Sequence, residues 1–304
     1  MPPKKPGPPN AFGTGPVRLR QIALVVRDLA KARRLLTYVL GTEVIYEDPL
    51  VGQWGLENFL VPVGGEIIEV VSPTRDGTTA GRLLEKKGVD EAGYMLIMQN
   101  EDAKKRRDFI EEKGLAKVIF SHEVKGKSGE LAGWCVQYHP KGIRGGVIPE
   151  LDSHTPSESN PEPLKTRFSA WHPCGPDVEG YTSKMKQYGH LSLVGAVCRL
   201  APGDWGAELA STQWEQTFGV PRSRDLCQFT NARVGFLHGE EGLPEGMISI
   251  SIGVVGERRR KEILERANEV GVLKAGKEGR YVEMVGVRWN FSLTGEDEWE
   301  SSKL

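Results

Sequence analysis

The sequence has almost no excess of charge. Its 304 residues carry 40 Lys and Arg against 41 Asp and Glu, a formal net charge of −1, so nothing electrostatic favours a nucleic acid or an anionic membrane surface as partner. No apolar run approaches the roughly 18 residues of a membrane span. The four cysteines, Cys135, Cys174, Cys198 and Cys227, are scattered, form no C-x-x-C pair and follow no secretory signal. That usage fits reduced thiols and an intracellular protein. A G-x-S-x-G elbow, a P-loop and a dinucleotide fingerprint are also missing, so neither a nucleotide nor a flavin is expected.

What the sequence does have is a repeated grammar. Gln21–Val26 is a short β-rich run. Asp28 stands where a helix N-cap belongs, and Leu29, Ala32, Leu35, Leu36 and Val39 follow at spacings of three and four. Gly41 closes that helix where a left-handed residue is needed. A second copy runs from Ala92: strand Tyr94–Met98, an acidic cap at Glu101–Asp102, a helix carrying Phe109 and Ile110, and a stop at Gly114. Laying Asp102 on Asp28 puts Met95 on Gln21, a shift of 74 residues. Strand-like segments follow each helix, at Glu43–Tyr46, Gly55–Val63 and Glu66–Ser72, then at Lys117–Phe120, Gly133–His139 and Gly146–Leu151. Each module therefore reads βαβββ.

A weaker pair of modules runs from Leu191 to about Leu293. The chain divides into a Pro- and Gly-rich leader over 1–16, a first domain over 17–155, a linker and irregular segment over 156–189, a degenerate second domain over 190–294, and a tail over 295–304. The tail ends in Ser302-Lys303-Leu304, the tripeptide read by the peroxisomal import receptor. Peroxisomal localisation, with that receptor as a partner, is the expectation.

The strand–cap–helix–glycine wording of Arg18–Val44, met twice, resembles the vicinal-oxygen-chelate superfamily, the glyoxalase-like proteins. The resemblance implies an α+β fold of tandem domains, with four βαβββ modules of which the second pair is degenerate. It also implies that each module supplies one metal ligand from its first strand and one from its last. Those positions read Gln21 and Glu69 (in GGEIIEVVSP), then Met95 and Glu150 (in GGVIPEL). Lactoylglutathione lyases of one class use Gln, Glu, His and Glu in this order, and Met95 is the departure. Gln21, Glu69 and Glu150 suit Mg²⁺ or Mn²⁺ and could hold Zn²⁺ or Ni²⁺, to which a thioether adds little. A glutamate on a strand is ordinarily a surface residue. Here both glutamates lie among aliphatics, where an unpartnered carboxylate is costly to bury. In the second domain the corresponding places read approximately Leu193, Gly235, Ile248 and Asn290, which hold no ion.

Met95, Gln137 and His139 are the substrate-binding candidates. Cys135, Gln137 and His139 share one face of a strand by alternation, and His139 is placed to replace the missing imidazole. His172 and Cys174, flanking Pro173, read as a structural turn. The function implied is that of a glyoxalase- or epimerase-like lyase or isomerase, with Glu150 as the base. It would shift a proton next to the carbonyl of a small oxoacid or thioester. The rival is a metal-free small-molecule binder without catalysis, and a homodimer is compatible with either. A ring-cleaving dioxygenase is disfavoured, because neither domain supplies two histidines at the ligand places.

Overall fold

The computed structural model describes residues 13–126, 128–276 and 279–295. Most of the leader, and the Ser302–Leu304 tripeptide, lie outside the described residues. In the opening unit, β1 (Arg18–Val26) leads into α1 (Leu29–Leu40). The Asp28 carboxylate accepts from Lys31 N at 2.8 Å, and Gly41 takes φ 67° at the other end. The unit continues through β2 (Leu56–Val63), β3 (Glu66–Pro73) and α2 (Thr79–Lys87). The second copy is β4 (Glu91–Gln99), α3 (Ala103–Lys113), β5 (Val118–Lys125), β6 (Leu131–Tyr138) and β7 (Ile148–His154). It is capped alike, by Asp102 and by Gly114 at φ 62°. These strands form one seven-stranded sheet in the order β2-β3-β1-β4-β7-β6-β5.

The register of that sheet confirms the 74-residue shift. Gln21 pairs with Ile97, and Met95 pairs with Ala23, so the two first strands are related by a pseudo-twofold axis between them. Glu69 then stands beside Ala23, and Glu150 stands beside Ile97 in the same relation. One expected strand fails. Glu43–Tyr46 keeps only an isolated bridge from Tyr46 to Leu60, and Asp48 caps a 3-10 turn over Pro49–Trp54 instead. Pro49 has no N–H to give to a ladder, which ends pairing there.

Residues 164–190, expected to be irregular, contain α4 (Val178–Gln187), N-capped by Asp177. Tyr181 and Met185, one turn apart, are buried against the first sheet. The second sheet follows: β8 (Leu191–Arg199), α5 (Ala207–Phe218), β9 (Arg222–Ser223), β10 (Leu226–Gln228), β11 (Arg233–Leu237), β12 (Gly246–Val255), α6 (Glu257–Glu269), β13 (Leu273–Gly276), β14 (Gly279–Met284) and β15 (Val287–Thr294). Its order is β13-β14-β15-β12-β8-β11-β10-β9. The fold is thus α+β, built on two curled mixed sheets. By the pairing rule of the first sheet, the ligand places of the second are Gly195, Gly235, Ser249 and Asn290. Register shifts near Met247 and Ser251 move two of them off Leu193 and Ile248. None is an acid or an imidazole.

The helical faces of both sheets share one core, with Ile22, Leu24 and Leu36 of the first joined to Leu193, Trp214, Ile250 and Trp289 of the second. Two arginines tie the helices across it. Arg106 on α3 donates to the carbonyls of Thr217 (2.8 Å) and Gln216 (2.9 Å) at the C-terminus of α5. Arg266 on α6 donates to Val39 O at 3.1 Å, at the C-terminus of α1. Each cation meets the negative end of the other domain's first helix and satisfies its orphan carbonyls.

The opposite face of the first sheet is a cup. Ala23, Val25, Ile67, Met95 and Ile97 form a second apolar cluster there with Trp171, Cys174, Tyr181 and Met185. Two buried arginines hold the 164–190 segment in place. Arg18 pairs with Glu66 at 2.6 Å and donates to the carbonyls of Thr166 and Arg167, while Arg20 donates to Ser169 O at 2.6 Å.

Candidate active site

Alternation along β1, β3, β4, β6 and β7 aims Gln21, Glu69, Met95, Gln137 and Glu150 into the cup. All five line one cleft of about 2590 Å³. Its far wall includes Asp204, Pro244 and Glu245 from the second domain.

The Gln21 half of the cup is closed on itself. Glu69 accepts from Asn58 Nδ2 at 2.6 Å on one oxygen and from Gln21 Nε2 at 2.9 Å on the other. The remaining Gln21 oxygen accepts the indole N–H of Trp171 at 2.7 Å. An indole N–H can only donate and an ionised carboxylate can only accept, so the network fixes which way the amide points. The Gln21 carbonyl oxygen is thus turned to Trp171 and its amide nitrogen to Glu69, and each of these oxygens, with one donor, keeps a further lone pair. Trp171, fully buried and in van der Waals reach of His154 and Arg20, fills that end of the cup.

The Glu150 half is built differently. Gln137 Nε2 donates to one Glu150 oxygen at 2.6 Å, and the Cys135 thiol and Asp152 carboxyl lie within hydrogen-bonding reach. Burial, opposed by the Gln137 hydrogen bond and reinforced by the Glu69 charge, pushes Glu150 up to about 7. Burial also raises Glu69, although the amides of Asn58 and Gln21 pull the other way. Tyr94 is pushed up to about 12, first by burial and then by the charges of both glutamates. It lines the same cleft as a neutral O–H donor.

β7 runs past Leu151, where the sequence pattern was expected to stop, to His154. Asp152 and His154 therefore fall on the Glu150 face, and the 3-10 turn at His172–Cys174 brings a second imidazole to them. His172 Nε2 stands 3.3 Å from Asp152 Oδ2, and its Nδ1 stands 3.1 Å from His154 Nε2. Burial holds Asp152 well above the usual carboxylate range, with the Glu150 charge adding to the effect, and lowers His172 to about 3. So the imidazole beside Asp152 is His172, from a segment read as a mere turn. His139 lines the cleft, but its Nδ1 accepts from Lys141 N at 2.9 Å and closes the turn after β6. Met95 is nearly buried between Ala23 and Ile148 and gives the cleft an apolar floor. The cysteines agree with the expectation of reduced thiols, since all four are free and buried.

No protein-family model matches the chain, and no curated protein matches it in sequence. Among solved structures, a hypothetical protein from Staphylococcus aureus superposes with a TM-score of 0.57 at 10% identity, over 91% of this chain and 100% of its own. A Streptomyces coelicolor methylmalonyl-CoA epimerase in complex with 2-nitronate-propionyl-CoA matches at 20% identity and a TM-score of 0.39, over 46% of this chain and 99% of its own. The Mycobacterium tuberculosis methylmalonyl-CoA epimerase gives 21% and 0.38, over 46% and 89%. Of these three, the first spans both sheets, and at its identity it bears on the fold alone.

Proposed function

We propose that this chain is an isomerase or lyase that moves a proton at a carbon next to a carbonyl, with Glu150 as the base. The observation that carries the reading is the placement of Glu150: a carboxylate buried in an aliphatic strand at the floor of a large cleft, steadied by Gln137 on one oxygen. A base so placed is stripped of water and pre-aimed, which suits proton abstraction from carbon. Tyr94, a neutral O–H donor lining the same cleft, would serve the developing enolate oxygen. Exposed Arg82, Lys86 and Lys141 line the cleft and favour an anionic substrate, an oxoacid or an acyl thioester carrying acidic groups.

The test is exchange in deuterated water. A panel of 2-oxoacids and acyl thioesters is screened by thermal shift for binding and by NMR for loss of the proton next to the carbonyl. At least one binder should exchange, and Glu150→Gln should slow it by roughly 10²–10⁴-fold. The clasp of Gln21, Asn58, Glu69 and Trp171 favours a second reading, a cup that binds without catalysis. Binding with no exchange in either protein would establish that reading and end the first.

A further inference from the structure

Beside Glu150 lies a second cluster that the proposed proton transfer does not use. Cys135 on β6, Asp152 on β7 and His172 on the inserted turn present one ligand atom each, all within 4.8 Å of one another. Asp152 is fully buried, and neither of its oxygens has a hydrogen-bond partner of proper geometry among the described residues, although the Cys135 thiol and Glu150 crowd it. A carboxylate left so is costly unless a cation or a proton joins it.

The hydrogen-bond directions sharpen the case. The backbone N–H of His172 donates to His154 Nε2 at 3.1 Å, so that nitrogen carries no proton. It is then an acceptor for His172 Nδ1, at the same distance, and His172 Nδ1 must be the protonated one. The tautomer is assigned from this network. His172 Nε2 is then left with its lone pair, 3.3 Å from Asp152 Oδ2 and with no hydrogen bond between them. His154 acts as the outer partner that orients a ligand imidazole.

We propose that Cys135 Sγ, Asp152 and His172 Nε2 bind a divalent ion of the zinc class, apart from the places that the repeat marks for a metal. One thiolate, one imidazole and one carboxylate form a borderline-soft set that selects Zn²⁺ over Mg²⁺. With metal–ligand distances of about 2.0–2.3 Å, the three atoms need close by only about an ångström. Three protein ligands leave a fourth position for a water or a substrate atom. The ion would also pin the inserted segment to β6 and β7. The proposal stands on the cluster alone and does not require that Glu150 act as a base.

The test uses the full chain, freed of metal with a chelator and titrated with Co²⁺ and Zn²⁺. One equivalent of Co²⁺ should produce thiolate-to-cobalt charge-transfer absorption in the near ultraviolet, Zn²⁺ should displace it, and either ion should raise Tm. Cys135→Ser should abolish the band, Cys198→Ser should keep it, and Asp152→Asn should weaken binding more than tenfold. Should Cys135→Ser not fold, His172→Ala at its partly exposed position carries the same test through lost affinity. The proposal is overturned if no band forms, which would leave Asp152 and His172 joined by a shared proton only. A band that survives Cys135→Ser, or an affinity untouched by His172→Ala, overturns it as well.

Discussion

Trp171 is the residue through which the inserted segment controls the cup, and removing its parts one at a time should separate two effects. Trp171→Phe keeps most of the ring but deletes the N–H that Gln21 Oε1 accepts at 2.7 Å. The buried amide oxygen is then unsatisfied, at a cost of about 1–3 kcal/mol. Trp171→Ala also removes a fully buried ring that stacks on His154 at 5.1 Å between centroids, for a total of about 3–5 kcal/mol. The assay is urea unfolding followed by fluorescence and circular dichroism. Both midpoints should fall, with the alanine variant well below the phenylalanine one and slopes unchanged. If Trp171→Phe lies within about 0.5 kcal/mol of the parent, the indole N–H does not hold Gln21.

Three further outcomes follow from the same packing. Glu66→Gln keeps the shape of the buried partner of Arg18 but strands the cation, and should cost about 3–5 kcal/mol, read as a fall in Tm; a change below 1 °C would deny that the pair is desolvated. Arg106→Met unties α3 from the carbonyls ending α5 and should cost about 1.5–3 kcal/mol in urea unfolding, more than Arg266→Met, because Arg106 makes more of these bonds. A fragment ending at Thr155 should fail to fold alone, since Ile22, Leu24 and Leu36 share their core with the second sheet; dispersed amide signals from that fragment would contradict the shared core.

The repeat was legible because it is local. Asp28 with Gly41, and Asp102 with Gly114, mark helix ends by chemistry that a sequence displays, and the last strand of each unit carries a glutamate, Glu69 or Glu150. The second half of the site was not legible, because its determinants are long-range. Alternation in IPELDSH puts Glu150, Asp152 and His154 on one face, and that signal was available once β7 was allowed to run on. Nothing near Trp171 or His172 in the chain says that the first reaches Gln21, 150 residues earlier, or that the second reaches Asp152. That depends on Arg18 and Arg20, which are buried on a strand and donate to the carbonyls of Thr166, Arg167 and Ser169. The closed Gln21–Glu69 clasp is a tertiary fact of the same kind, and the four ligand places alone do not disclose it.

Because a pseudo-twofold relates Glu69 to Glu150, the most direct test of the account is which of the two moves the proton. Both glutamates line the cleft, but both oxygens of Glu69 are held by amide donors, whereas Glu150 has one such donor, from Gln137. The measurement is the exchange rate in deuterated water of whichever compound the panel identifies, compared for the parent, Glu150→Gln and Glu69→Gln. The account predicts a loss of about 10²–10⁴-fold for Glu150→Gln and less than about tenfold for Glu69→Gln. Exchange that persists in Glu150→Gln and disappears in Glu69→Gln would contradict it.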